Sequence, residues 1–145
     1  MRALIQRVVS ANVVIEEKQI ASIGKGVLVF VGFFPRDGSE QISWMTRKIL
    51  SLRIFPDDNG QMNKSLADVK GEVLVVSQFT LAADINRGNR PSFSGAARPE
   101  LAHNLYTEFV SYLKENYTMV SSGEFGSDML VSLVNDGPAT FLLDH

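Results

Sequence analysis

Two short segments that follow strand-like runs carry the residue types that could do chemistry. The first, Ser77-Gln78-Phe79-Thr80-Leu81, follows the wholly apolar run Val73 to Val76. A strand buried on both faces reads as a continuous apolar run, so two hydroxyls and an amide at its end point to a site. Side chains alternate along a strand, which predicts Gln78 and Thr80 on one face and Ser77 and Phe79 on the other. An amide and a hydroxyl on one face suit the orientation of a polar substrate. The same groups also suit bonding to strand-end main chain, which Ser and Thr do readily, and the segment taken alone is compatible with both.

The second segment, Asn135-Asp136-Gly137-Pro138-Ala139-Thr140, ends a strand predicted from Asp128 to Val134, where Met129, Val131 and Leu133 alternate against Asp128 and Ser132. Its composition is that of a hairpin turn. A two-residue hairpin turn, however, does not favour Pro directly after its Gly. An X-Pro bond tolerates the cis form at about 0.5 to 1 kcal/mol, against roughly 2.5 to 4 elsewhere, and a cis bond reorients the carbonyls beside it.

The elements that must position these segments read as α+β. Strands are predicted near Arg2 to Ser10, Asn12 to Ile15, Val27 to Phe33, Arg53 to Phe55, Glu72 to Thr80, Thr118 to Ser121, Met129 to Val134 and Ala139 to Leu143. A first helix is predicted to start at Asp37, its carboxylate capping and Glu40 closing the box, with Ile42, Met45, Ile49 and Leu52 as the buried stripe. A second is predicted from Pro99, a favoured first-turn residue, burying Ala102, Leu105, Phe109, Tyr112 and Leu113. Runs of strands with two inserted helices argue against a doubly wound parallel sheet.

With 145 residues, 45% of them hydrophobic, and no composition break, the chain reads as a single domain spanning residues 1–145. The longest apolar run, Val27 to Phe34, is far short of a membrane span, and polar residues from Gln6 to Asn12 interrupt any signal-like segment, so a cytoplasmic protein without membrane contact is expected. There is no Cys, which excludes disulfides and thiolate chemistry. His103 lies one position off the second helix's stripe and His145 is the last residue, so neither is in a catalytic setting. Asp57, Asp58 and Asn59 before Gly60 form a routine turn lacking the downstream Glu of a calcium loop; no metal and no cofactor are expected.

A formal net charge of −2 argues against a generic polyanion binder and against DNA as a partner. The charge is uneven: Arg87, Arg90 and Arg98 cluster in and just after a Gly- and Ser-rich loop from Ile85 to Ala97, whereas no Lys or Arg follows Lys114. Arg beside Phe93 suits a single-stranded RNA end, although a plain solvated loop has the same composition. Arg36, Arg47 and Lys48 are candidates to extend the patch. Arg7 is a cation inside an apolar strand and needs a partner.

The two polar segments together resemble the signature motifs of the D-aminoacyl-tRNA deacylase family. The resemblance extends to Met1-Arg2-Ala3-Leu4-Ile5-Gln6-Arg7-Val8, to Asn63-Lys64-Ser65-Leu66 and to Arg90-Pro91-Ser92-Phe93-Ser94, and so covers the chain in order. Ala139 stands where Val is more usual after the Gly-Pro pair. The resemblance implies a homodimer of barrel-like β-sheet layers with helices outside and active sites at the interface. It implies hydrolysis of the ester joining a D-amino acid, or glycine, to tRNA, so that D-aminoacyl-tRNA and glycyl-tRNA are the partners.

In that reading Gly137 and Pro138 of one subunit enter the pocket of the other as a cis pair. Their carbonyls hold the substrate's α-amino group and leave no room for an L side chain. Arg7 fixes the pair and Met129 lines the wall; plain core packing is the alternative for Met129. Thr80 acts as a nucleophile only if a base takes its proton, and the sequence offers no triad-like partner. Ser77, Gln78, Phe79 and Thr80 therefore read as a catalytic strand that positions the substrate, with backbone N–H groups near Phe79 and Thr80 stabilising the oxyanion. The substrate's own 2′-hydroxyl assists the attack, and Arg87 and Arg90 contact RNA. A non-catalytic tRNA-binding module and a Thr-dependent esterase are the competing readings.

Overall fold

The computed structural model describes residues 1–86 and 88–145. Strand β1 (Arg2–Ile15) organises the rest. One of its edges pairs antiparallel with β8 (Leu130–Asp144), from Arg2↔Asp144 to Val14↔Leu130. The other edge is divided, its first half pairing with β3 (Gly26–Gly32) and its second with β2 (Lys18–Ile23). Strand β6 (Glu72–Ser77) then lies parallel to β3, and β7 (Val120–Ser122) parallel to β6. One long strand serving two partners on the same side curls this mixed sheet into a nearly closed, barrel-like layer. With helices packed outside it, the fold is α+β as expected.

The double coverage of β3 and β6 explains their unbroken apolar runs. Val27, Val29, Val31, Val73 and Val75 join the core shared with helices α1 (Ser39–Ser51) and α3 (Pro99–Asn116). Leu28, Leu74 and Val76 instead join Val8, Ala11, Val13 and Ile23 in a second core. Each such side chain contributes about 1.5–3 kcal/mol on burial. Helix α1 buries Ile42, Met45 and Ile49, and α3 starts at Pro99 and buries Ala102, Leu105, Phe109 and Leu113, as the spacing predicts. Tyr112 is only half-buried, and Tyr106 fills the inner face instead.

Several boundaries differ from the predicted ones for identifiable reasons. The two strands predicted between Arg2 and Ile15 are one, and β2 was not foreseen. The β1–β2 turn uses Glu16 and Glu17 in left-handed backbone (φ 47° and 65°), without the Gly or Asn that marks such turns. The strand expected at Arg53–Phe55 is a small hairpin of β4 (Phe55–Pro56) with β5 (Met62–Lys64), followed by the short helix α2 (Leu66–Val69). The cap of α1 is Gly38, whose N–H donates to Gln41 Oε1 at 3.0 Å. Asp37 is committed elsewhere, accepting from Phe34 N–H and the Met1 amine, each at 2.7 Å. Among the described residues no helix is long and apolar enough to cross a membrane.

One core position is imperfect. Thr46 of α1 is 1% exposed, and its hydroxyl is the buried side-chain oxygen left without a hydrogen-bond partner among the described residues. An unsatisfied buried polar group costs about 1–3 kcal/mol. The near-isosteric Thr46→Val should therefore stabilise the protein by roughly 1 kcal/mol, seen as a rise in melting temperature of about 2–4 °C. A fall in melting temperature would show that the hydroxyl has a partner in solution.

Candidate active site

Strand β6 ends at Ser77, not at Thr80, because its partner β3 runs out: Val31 pairs with Ser77, and Gln78 N–H donates the last rung to Val31 O at 2.7 Å. Beyond it Phe79–Ala82 form a 3₁₀ turn. Strict strand alternation therefore does not set the directions of Gln78 and Thr80. The turn brings them together all the same, with Gln78 Nε2 donating to Thr80 Oγ1 at 2.5 Å. Within the turn Leu81 N–H donates to Gln78 O and Ala83 N–H to Thr80 O, both at 3.1 Å. The N–H groups of Phe79 and Thr80, at the start of the turn, have no intrahelical acceptor, as helical starts require.

Arg2 fixes the far end of the turn, its Nη1 donating to Leu81 O at 2.9 Å while Nε and Nη2 fork onto Asp144 at 2.8–3.0 Å. The bond to Asp144 raises the guanidinium's pKa further. Sequence reasoning passed over Arg2 because nothing in its spacing distinguishes a clamp from a surface charge.

Above this turn opens a cleft of about 770 Å³, lined by Ser77, Gln78, Phe79 and Met129 together with Phe93, Arg98, Phe125 and Asp128. Phe79 is 60% exposed and meets Phe93 with ring centroids 5.0 Å apart at 55°, leaving an aromatic ledge at the mouth. Phe93 is held there by the Asp84–Ser92 bridge, whose two backbone bonds of 2.8 and 2.9 Å close the base of its loop. The structure thus gathers four expected residues in one cleft, with Thr80 bonded to Gln78 beside it. Arg90 is exposed on the loop and does not line the cleft. Arg87 lies outside the described residues. Phe125 was missed because it stands alone between Glu124 and Gly126, with no periodic neighbours to mark it.

Asn135 to Thr140 do not form a turn. They lie within β8, where pairing with β1 jumps from Gln6↔Thr140 to Val8↔Asn135, leaving Asp136 to Ala139 as a bulge opposite Arg7. The Gly137-Pro138 bond is cis. Arg7, 7% exposed, finds the partners its burial demands: Nε lies 3.0 Å from Asp136 O and 2.9 Å from Asp136 Oδ2, and Nη1 donates to Ile54 O. Asn135 Nδ2 adds bonds to Arg7 O at 2.9 Å and Ala139 O at 3.4 Å. A Cβ on Gly137 would stand 2.7 Å from Asn135 Oδ1, so this position has no room for a side chain without displacing that clamp.

Arg7, Gly137 and Pro138 do not line the cleft of their own chain. Pro138 instead flanks a shallower depression with Met62, Asn135 and Phe141. On β1 and β8, Val9, Leu130, Val134 and Leu142 are exposed large apolar residues, Leu130 at 74%.

A family model described as D-Tyr-tRNA(Tyr) deacylase matches residues 4–144. The D-aminoacyl-tRNA deacylase of Clostridioides difficile (strain 630) is 54% identical over 144 residues, covering 99% of this chain and 97% of the relative. That of Petrotoga mobilis is 53% identical over 145 residues, with the same coverage of each. A solved structure described as a c-Myc DNA unwinding element binding protein superposes with a TM-score of 0.95 at 39% identity, over 100% of this chain and 99% of the other. A probable eukaryotic D-amino acid tRNA deacylase superposes with a TM-score of 0.84 at 19% identity, over 99% and 98%, and shares the fold.

Proposed function

This chain belongs to the D-Tyr-tRNA(Tyr) deacylase family, and from that premise we propose that it hydrolyses the ester joining a D-amino acid, or glycine, to the 3′-terminal adenosine of tRNA. The reaction is a proofreading hydrolysis in translation, carried out without a cofactor by a single-domain cytoplasmic protein acting as a homodimer. Water adds to the ester carbonyl carbon and the bond to the 3′-oxygen breaks. The proton shed by the water reaches that oxygen through the vicinal 2′-hydroxyl. The N–H groups of Phe79 and Thr80 stabilise the oxyanion, Gln78 and Thr80 orient the ester beside Ser77, and Met129 bounds the amino-acid side chain. The Phe79–Phe93 ledge stacks the terminal base, and Arg87 and Arg90 contact the RNA backbone.

Gly137 and Pro138 of one subunit enter the cleft of the other, where their carbonyls receive the α-ammonium and exclude an L side chain. One observation carries this reading: Gly137 and Pro138 do not line the cleft of their own chain and are presented instead on an exposed, partly apolar face.

Release of amino acid from D- and L-charged tRNA tests it directly. D-substrates should react at least about 100-fold faster than their L counterparts, the discrimination a site can achieve by shape and unpaired polar groups. Light scattering on the same sample should give a dimer. Equal rates on both enantiomers would sink the chirality filter, full activity as a monomer would sink the cross-subunit arrangement, and binding without release would favour the tRNA-binding module.

A further inference from the structure

Tyr106 lies on the inner face of α3, 5% exposed. Its Oη stands 3.1 Å from Val75 O and 3.0 Å from Gly123 O. A phenol has one proton, so a single hydroxyl is shared between two main-chain carbonyls. Burial raises its pKa, which keeps the proton available for donation. The two carbonyls lie just behind different walls of the cleft, on the segments that lead to Ser77 and to Phe125. Val75 lies two residues before Ser77 on β6. Gly123 follows β7, where the chain leaves the sheet towards Phe125 and Met129, and its N–H donates to Val75 O at 2.8 Å.

The far wall rests on the same point. A Cβ on Gly123 would meet Met129 Sδ at 2.7 Å, so the thioether is seated directly on that glycine. The Phe125 ring is 5.8 Å from the Tyr106 ring, with His103 edge-on at 5.2 Å on its other contact. The hydroxyl therefore reinforces the Gly123 N–H to Val75 O bond in holding the end of β6 and the root of the Phe125–Met129 wall together.

We propose that Tyr106 is a positioning residue for the deacylase cleft, setting its width by tying Val75 to Gly123 and thereby fixing where Met129 stands. The inference rests on the functional reading above. Tyr106 touches no substrate, and its influence on turnover passes through Met129.

The test is Tyr106→Phe, which keeps the ring and removes the hydroxyl's two contacts, leaving the Gly123 N–H to Val75 O bond as the direct link. The kcat/KM on D-aminoacyl-tRNA should fall about tenfold, carried by KM with kcat within about twofold, because a displaced wall weakens binding before it alters the reacting groups. In the ligand-free variant the Met129 methyl resonance should shift or broaden. In a Met129→Ala background the same Tyr106→Phe change should cost less than about twofold, since coupled neighbours are non-additive. Should Tyr106→Phe fail to fold, Gly123→Ala displaces the Met129 sulfur with Tyr106 intact and should give the same KM signature. An unmoved Met129 methyl, or an undiminished loss in the Met129→Ala background, overturns the proposal. Absence of deacylation by the unaltered protein would overturn the functional reading instead, while the methyl resonance still decides the role of Tyr106.

Discussion

A tRNA ending in 2′-deoxyadenosine is expected to lose its D-amino acid about 10²–10⁴-fold more slowly than the natural substrate, the range that positioned proton transfer supplies. The expectation follows from where the proton-accepting side chains stand. His103 packs edge-on against the Phe125 ring and His145 stacks on Trp44 at 4.4 Å, and among the described hydrogen bonds neither imidazole reaches Thr80. Thr80 Oγ1 accepts a bond from the Gln78 amide, and an amide N–H cannot take a proton in return. Asp128 lines the cleft, yet among the described hydrogen bonds none joins it to Thr80. Thr80→Ala should accordingly keep activity within about tenfold of the unaltered protein, the value of one lost orienting bond. Rapid-quench kinetics with both substrates and both proteins measure this. A deoxy substrate hydrolysed at the normal rate, together with a trapped Thr80 ester, would make Thr80 the nucleophile.

Arg7→Ala should be the most damaging single change at the Gly137-Pro138 bulge. The guanidinium is buried, and its loss leaves Ile54 O and Asp136 O without their donor and Asp136 without its counter-charge. Breaking a fully buried pair costs about 3–5 kcal/mol. The Asp136 side chain is 38% exposed, so water screens part of that and about 2–3 kcal/mol is expected. This corresponds to a fall in melting temperature of roughly 4–12 °C. Turnover of D-substrates should fall further than stability, to about 1% or less, because the reacting groups tolerate little misplacement. Arg7→Lys should move in the same direction, since an ammonium cannot reproduce a guanidinium fork onto two separate carbonyls. Thermal melts and deacylation rates on the two variants decide it; an Arg7→Ala protein with unaltered melting and turnover would remove Arg7 from the site.

The sequence made the elements around the candidate site legible where side-chain type decides structure and hid them where long-range pairing does. Pro99 and the apolar spacing after it locate α3, because first-turn preference and helical periodicity are local properties. The end of β6 was misread by a few residues because it is set by the length of β3, more than forty positions earlier in the chain. Asn135 to Thr140 carry every local sign of a turn, yet β1 runs past them and keeps them in the sheet as a bulge. Arg2, Asn135 and Tyr106 do their work through carbonyls of distant residues, and a carbonyl leaves no mark on residue type.

The pairing of β1 with β8 also governs when this site can exist. Strands β2 and β3 follow β1 within the first 32 residues, whereas β8 begins at Leu130. A ribosome adding about 5–20 residues per second takes several seconds to cross that interval. Throughout it the long edge of β1 lies open, with Arg7 lacking Asp136 and its carbonyl lacking Asn135. Closing a loop of this length is slow compared with forming the β1–β2 hairpin. Nascent chains therefore hold an unpaired, partly apolar edge that invites misregistered association, and the Arg7–Asp136 contact beside Gly137-Pro138 is among the last features to assemble. A chain that stops short of β8 retains the Ser77 end of β6 but has no Asp136 to pair with Arg7 and no Gly137-Pro138 bulge.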